Sequence, residues 1–104
     1  MPGNTPSAVL SVLADDTRLR GFLRAGRIDV MPARRSRRLE LLGEVAQVFE
    51  PGIRYPERDV NELLGALFDD YAALRRYLVD EAFLERAQGE YWRIGGPVDS
   101  GPSA

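Results

Sequence analysis

Arginine is the residue type with the most chemistry to offer in this sequence. All 14 basic side chains are arginines; lysine, histidine and cysteine are absent. A guanidinium is planar, permanently charged and presents paired donors, so a cluster of them suits phosphate or carboxylate. The densest cluster is Arg34-Arg35-Ser36-Arg37-Arg38, with Arg27 just before it. One reading is a phosphate or nucleic-acid contact made by an arm and the helix start it leads into. The other is a solvated basic face that pairs with the acidic half of the same domain. An all-arginine set is also what a GC-rich genome produces, because exposed sites rarely distinguish arginine from lysine energetically.

Charge is divided along the chain. Between Thr17 and Arg38 eight arginines stand against Asp29 alone, whereas Leu39 to Ala104 holds six arginines and 13 acids. The net charge of -2 hides this asymmetry, which prompts a search for a partner. Arginines in the first turns of a helix also oppose the helix dipole, by roughly a few tenths of a kcal/mol each. An anionic partner would relieve that frustration.

The absence of histidine and cysteine removes the commonest general base, the commonest metal ligand and all thiolate chemistry. Ser36, Tyr55, Tyr71 and the carboxylates lack a local pattern that would supply an activating base or metal. The adjacent pairs Asp15-Asp16 and Asp69-Asp70 suit helix caps better than an acid/base pair. The sequence therefore predicts a non-enzymatic protein with no cofactor and no metal. No apolar run approaches the ~20 residues of a membrane span, and Met1 to Ser7 lacks the features of a secretory signal. No membrane contact and a cytoplasmic location are expected.

These side chains need a scaffold. A chain of 104 residues, 44% hydrophobic, supports one domain with one modest core. The Gly-, Pro- and Ser-rich ends, 1–6 and 95–104, read as loose tails around a domain over 7–94. Ser7 is the expected cap of a first helix carrying Val9, Val12 and Leu13 on one side. Asp15 or Asp16 then offers a cap for a second helix with Leu19, Phe22 and Leu23, ended by Gly26. Arg27 to Met31 reads as a strand or extended arm closed by Pro32. A third helix is expected from about Ala33 to Glu50, and a fourth after Pro56, where Val60, Leu63, Leu64 and Leu67 recur at helical spacing. A fifth follows Asp69 or Asp70, with Tyr71, Leu74 and Leu78 on its buried side, ending near Ala82. Phe83 to Arg86 and Glu90 to Ile94 flank a glycine-containing hairpin turn.

Helix, short turn, helix and small hairpin is the order of a winged helix-turn-helix, so the expected fold is mainly α with a small β-hairpin. In the last helix Arg76 points nearly opposite the core side and is best placed to reach a groove or a phosphate. Yet Tyr55 to Ile94 holds five arginines and nine acids, a poor balance for a DNA reader. Tyr91-Trp92 could stack on a partner or cap the core; large aromatics mostly report burial.

Several runs also carry a resemblance: Gly26-Arg27-Ile28, Met31-Pro32-Ala33-Arg34, Tyr55 with Glu57, Val60-Asn61 and Leu74-Arg75-Arg76-Tyr77-Leu78-Val79-Asp80. The closing Phe83-Leu84-Glu85-Arg86, then Gly89, then Tyr91-Trp92-Arg93, adds to it. Together these resemble the bacterial domain-of-unknown-function family 2087, over roughly Leu19 to Gly96. That family is found alone or attached to DNA-binding domains of the arsenical-repressor (ArsR) type, which implies a link to transcription. Leu13-Ala14-Asp15-Asp16-Thr17-Arg18-Leu19-Arg20 is similar to the opening helix of such repressors, whose remaining parts are missing here. Two departures stand out: Ala25 where the family usually has an acid, and Ala82 where it usually has a glycine. Either the helix end at Ala82 avoids a left-handed conformation, or the chain is slightly strained there.

The leading expectation is a transcription-related domain contacting DNA through Arg27, Arg34, Arg35, Arg37, Arg38 and Arg76. The alternative is a protein-interaction or dimerisation module of the same fold, pairing as a homodimer or with another protein through its apolar N-terminal helix. A third reading is a sensor binding a small anion near the Gly-Arg arm.

Overall fold

The computed structural model describes residues 3–96. Of the tail expected over 95–104, residues 97–104 lie outside the described residues, as do Met1 and Pro2. Helix α1 (Pro6–Asp15) is capped by Thr5, whose hydroxyl accepts from the Ala8 amide at 3.1 Å, two residues before the expected cap. The Asn4 amide already donates to the Gln47 carbonyl at 2.8 Å, so the chain is tied to the domain before the helix begins. Val9 and Leu13 are buried, whereas Val12 faces solvent.

The expected second helix does not form. In its place a 3-10 turn (Arg20–Phe22) leads into β1 (Leu23–Arg24), which pairs antiparallel with β2 (Arg27–Ile28). Ala25 and Gly26 both take positive φ, 53° and 79°, making a two-residue turn that reverses the chain where a helix would continue. Leu19 is still buried and Phe22 packs against the core, so the apolar spacing is satisfied by a different backbone.

Helix α2 (Arg35–Val45) is followed by a 3-10 turn (Ala46–Val48) and is shorter than the predicted 33–50. Its N-terminal flank, Arg34, is extended, the usual backbone conformation of the residue that precedes a helix. A third strand missing from the sequence reading comes next: β3 (Arg54–Pro56). Then follow α3 (Glu57–Gly65), α4 (Tyr71–Asp80), β4 (Leu84–Ala87) and β5 (Glu90–Arg93). Glu57 and Asp59 sit in the first turn of α3, where the helix dipole favours acids, and the Asp70 carboxylate accepts from the Ala73 amide to cap α4. Strands order as β3-β5-β4, all antiparallel, with Tyr55 opposite Tyr91 and Arg86 opposite Tyr91. Gln88 and Gly89 form the β4–β5 turn at φ 55° and 78°, the conformation that matches strand twist.

The described residues thus form a mixed α/β fold of four helices and two small antiparallel sheets, a correction to the mainly helical expectation. One core joins α1, α2, α3, α4 and the sheet, and includes Leu13, Leu42, Phe49, Leu64, Leu78 and Tyr91 at 1% exposure or less. Tyr71 is a second correction: at the first residue of α4 it is 41% exposed, its ring lying over Gly65. Tyr91 and Trp92 alternate across the sheet. Tyr91 is buried, and Trp92 is covered on the outer face by the Arg54 guanidinium, 4.1 Å from its ring centre.

Candidate functional site

Four of the six candidate arginines are engaged within the chain. Arg27 reaches across to the end of α3, donating to the Gly65 and Ala66 carbonyls and to Asp69. Carbonyls there have no partner inside the helix, so a guanidinium is a natural stop. Arg35 makes a bidentate pair with Glu81 at 2.6 and 3.1 Å. Hydrogen bonding from Arg35 holds the Glu81 carboxyl below its usual range, with the nearby charges of Arg35 and Arg38 adding to the effect. Arg37 bonds Glu40 at 3.1 Å, and Arg18 approaches the same carboxylate at 3.5 Å. Arg38 turns back to the Pro32 and Ala33 carbonyls and lies over the Tyr77 ring at 5.2 Å. Two of the arginines that oppose the α2 dipole, Arg35 and Arg37, find a counter-charge inside the protein, in Glu81 and Glu40. Those two pairs fit the second of the two readings of this cluster, whereas Arg38 meets carbonyls and a ring and leaves its charge uncancelled.

Arg34 and Arg76 differ: both are exposed, with no hydrogen bond or ion pair among the described residues. Leu74 and Leu78 are fully buried, and helical periodicity puts Arg76 opposite them, with Ala72 and Asp80 one turn to either side. Arg75 and Tyr77 then fall on opposite flanks of that exposed face. Through Arg38 on Tyr77 and Arg35 on Glu81, the start of α2 runs beside one flank.

The other flank meets the β4–β5 hairpin in a cleft of about 240 Å³ lined by Ala72, Arg75, Arg76, Val79, Asp80, Arg86 and Tyr91. Arg75 is held by the side-chain oxygen of Asn61, and the Tyr91 hydroxyl donates to Glu57 at 2.8 Å. Burial, and then that contact with Glu57, raises the Tyr91 pKa; the charges of Arg75 and Arg86 pull it back. Arg75 and Arg86 were absent from the sequence-derived set. A signal for Arg86 was present: it lies two residues beyond the apolar Leu84, hence on the same side of a strand, the side facing α4.

Among the described residues no cluster of His, Cys, Asp or Glu is arranged to hold a metal ion, and no helix is long and apolar enough to cross a membrane. Residues 27–93 match the family described as uncharacterised protein conserved in bacteria (DUF2087), which spans well over half of the chain. The chain belongs to that family. Comparison with curated proteins and with solved structures finds no match.

Proposed function

We propose that this protein is a winged-helix domain that binds duplex DNA through α4 and its two flanks. The element order α2-β3-α3-α4-β4-β5 with strand order β3-β5-β4 supports this reading, in which α4 would be the reading helix and β4–β5 the wing. One observation carries the reading. Arg76 sits at the centre of the exposed face of α4, with Arg34 and Arg35 at the start of α2 to one side and Arg75 and Arg86 to the other. A groove-bound helix uses such an arrangement, with cations at its centre and on both rims within reach of the phosphates that border the groove. Arg27, Arg37 and Arg38 support the fold and are not assigned to the contact.

The unfavourable charge count of Tyr55 to Ile94 weighs less once partners are considered. Asp69 is paired with Arg27, Glu90 with Arg54, and Glu57 accepts from Tyr91. The alternative of a dimerisation module loses support, because Val9 and Leu13 of α1 are buried in their own domain, leaving Val12 as the exposed large apolar side chain of that helix.

The test is fluorescence anisotropy of mixed-sequence duplex DNA titrated with protein across a salt series. Each neutralised phosphate contributes about 0.9 to the slope of log K on log salt, so about two or three of them give a slope between about -2 and -3. Arg76→Ala with Arg86→Ala should weaken binding and flatten the slope by about one unit for each phosphate no longer neutralised. Arg20→Ala with Arg24→Ala, near the β1–β2 turn, should change neither. Absence of binding at low salt would reject the proposal.

A further inference from the structure

Groove binding requires a basic surface, yet three guanidiniums here also line a concave space. Arg75 and Arg76 project from α4 and Arg86 from β4 into the same 240 Å³ cleft, over a floor that includes Tyr91. None of the three has a carboxylate within ion-pair distance among the described residues. The partner of Arg75 is the Asn61 amide, which fixes the guanidinium without cancelling its charge. The Tyr91 hydroxyl is directed to Glu57, so the nearby carboxylate of α3 is occupied. Asp80 is the acid that lines the cleft.

Three like charges around one hollow repel one another, and an anion with several oxygens offers each an acceptor in geometry that guanidinium groups match well. The volume corresponds to about eight molecules of liquid water, enough for a diphosphate with some hydration. A small anion near the Gly-Arg arm is not favoured, because the Arg27 guanidinium is already occupied by Gly65, Ala66 and Asp69.

We infer that the cleft between α4 and the hairpin is a phosphate site, formed by Arg75, Arg76 and Arg86. The site rests on the reading of the α4 face given above. It holds one backbone phosphate when nucleic acid is bound and accepts a free phosphorylated compound otherwise, so the two compete.

The probe is pyrophosphate, titrated calorimetrically into the full-length protein at low salt. Saturable binding at one site per chain is expected, weakened about tenfold or more by Arg86→Ala or Arg76→Ala. Arg34→Ala, outside the cleft, should leave the affinity unchanged. Asp80→Asn should tighten it, a gain that damage to the fold would not produce. No saturable binding by the unmodified protein, or an equal loss in Arg34→Ala, overturns the site. In a second arm, pyrophosphate should displace labelled duplex from the protein. Pyrophosphate binding with the stated variant pattern but no duplex binding would keep the site and reject the DNA reading. Duplex binding that pyrophosphate does not affect would do the reverse.

Discussion

Ala82 stands where only glycine is free of strain. The chain leaves α4 with the Phe83 amide bonded to the Leu78 carbonyl and the Ala82 amide to that of Val79. That pair of bonds puts Ala82 in the left-handed position of a helix-terminating motif, at φ 62°. An alanine there costs roughly 1–2 kcal/mol, partly offset by the smaller entropy it loses on folding. Ala82→Gly is therefore expected to stabilise the protein by roughly 0.5–1 kcal/mol, read as a higher urea midpoint at unchanged slope. Gly96→Ala should act in the opposite direction, since at φ 91° an added Cβ would stand 2.8 Å from Phe83 Cε1. A lower midpoint for Ala82→Gly would mean that the backbone there relaxes. The sequence exposed the anomaly, an alanine in a glycine position, and offered two resolutions. Choosing between them required the carbonyls of Leu78 and Val79, which no local pattern specifies.

Helices α2 and α4 meet through Arg35 and Glu81, 46 positions apart, and this contact makes a pH-dependent link between elements. The folded-state pKa of Glu81 lies below its ordinary value, so folding favours the ionised carboxylate. The stabilisation is complete above the ordinary carboxylate range and fades as pH falls through the depressed folded value. Glu81→Gln should lower the urea midpoint slightly at neutral pH and flatten its decline below about pH 4, with no new pH dependence above pH 6. Because the Arg35 side chain is 61% exposed, added salt should shrink the difference at neutral pH. An acid limb as steep as that of the unmodified protein would place the stabilising carboxylate elsewhere. Legibility at this scale followed periodicity. Helices α3 and α4 were readable because Val60, Leu64, Leu74 and Leu78 repeat along one face and end fully buried. Strand β3 was not, because three residues carry no period and its register comes from β5, with Tyr55 set against Tyr91. The same limit hid the cleft: Arg86 meets α4 only after the hairpin folds back.

The family match begins at residue 27, yet the packed core of the molecule begins earlier. Val9, Leu13 and Leu19 are at most 1% exposed and lie in one cluster with Leu41, Leu42 and Leu64. A helix that contributed only a surface would leave such residues half covered. Helix α1 instead packs on α2 and on the 3-10 turn that follows it, so it supports α4 indirectly, through the helix whose start flanks it. Leu13→Ala should then cost about 2–5 kcal/mol, in the range of Leu64→Ala near the end of α3, since both remove a buried isobutyl group from one packed interior. Trp92, the single tryptophan, lies on the outer face of the sheet and reports from outside α1. Its fluorescence and the far-ultraviolet helical signal should lose structure at one urea midpoint in both variants. If Leu13→Ala instead melts part of the helical signal while the Trp92 transition stays in place, α1 is a separable appendage. The domain would then begin where the family match does, and the basic start of α2 would have to hold its position beside α4 unaided.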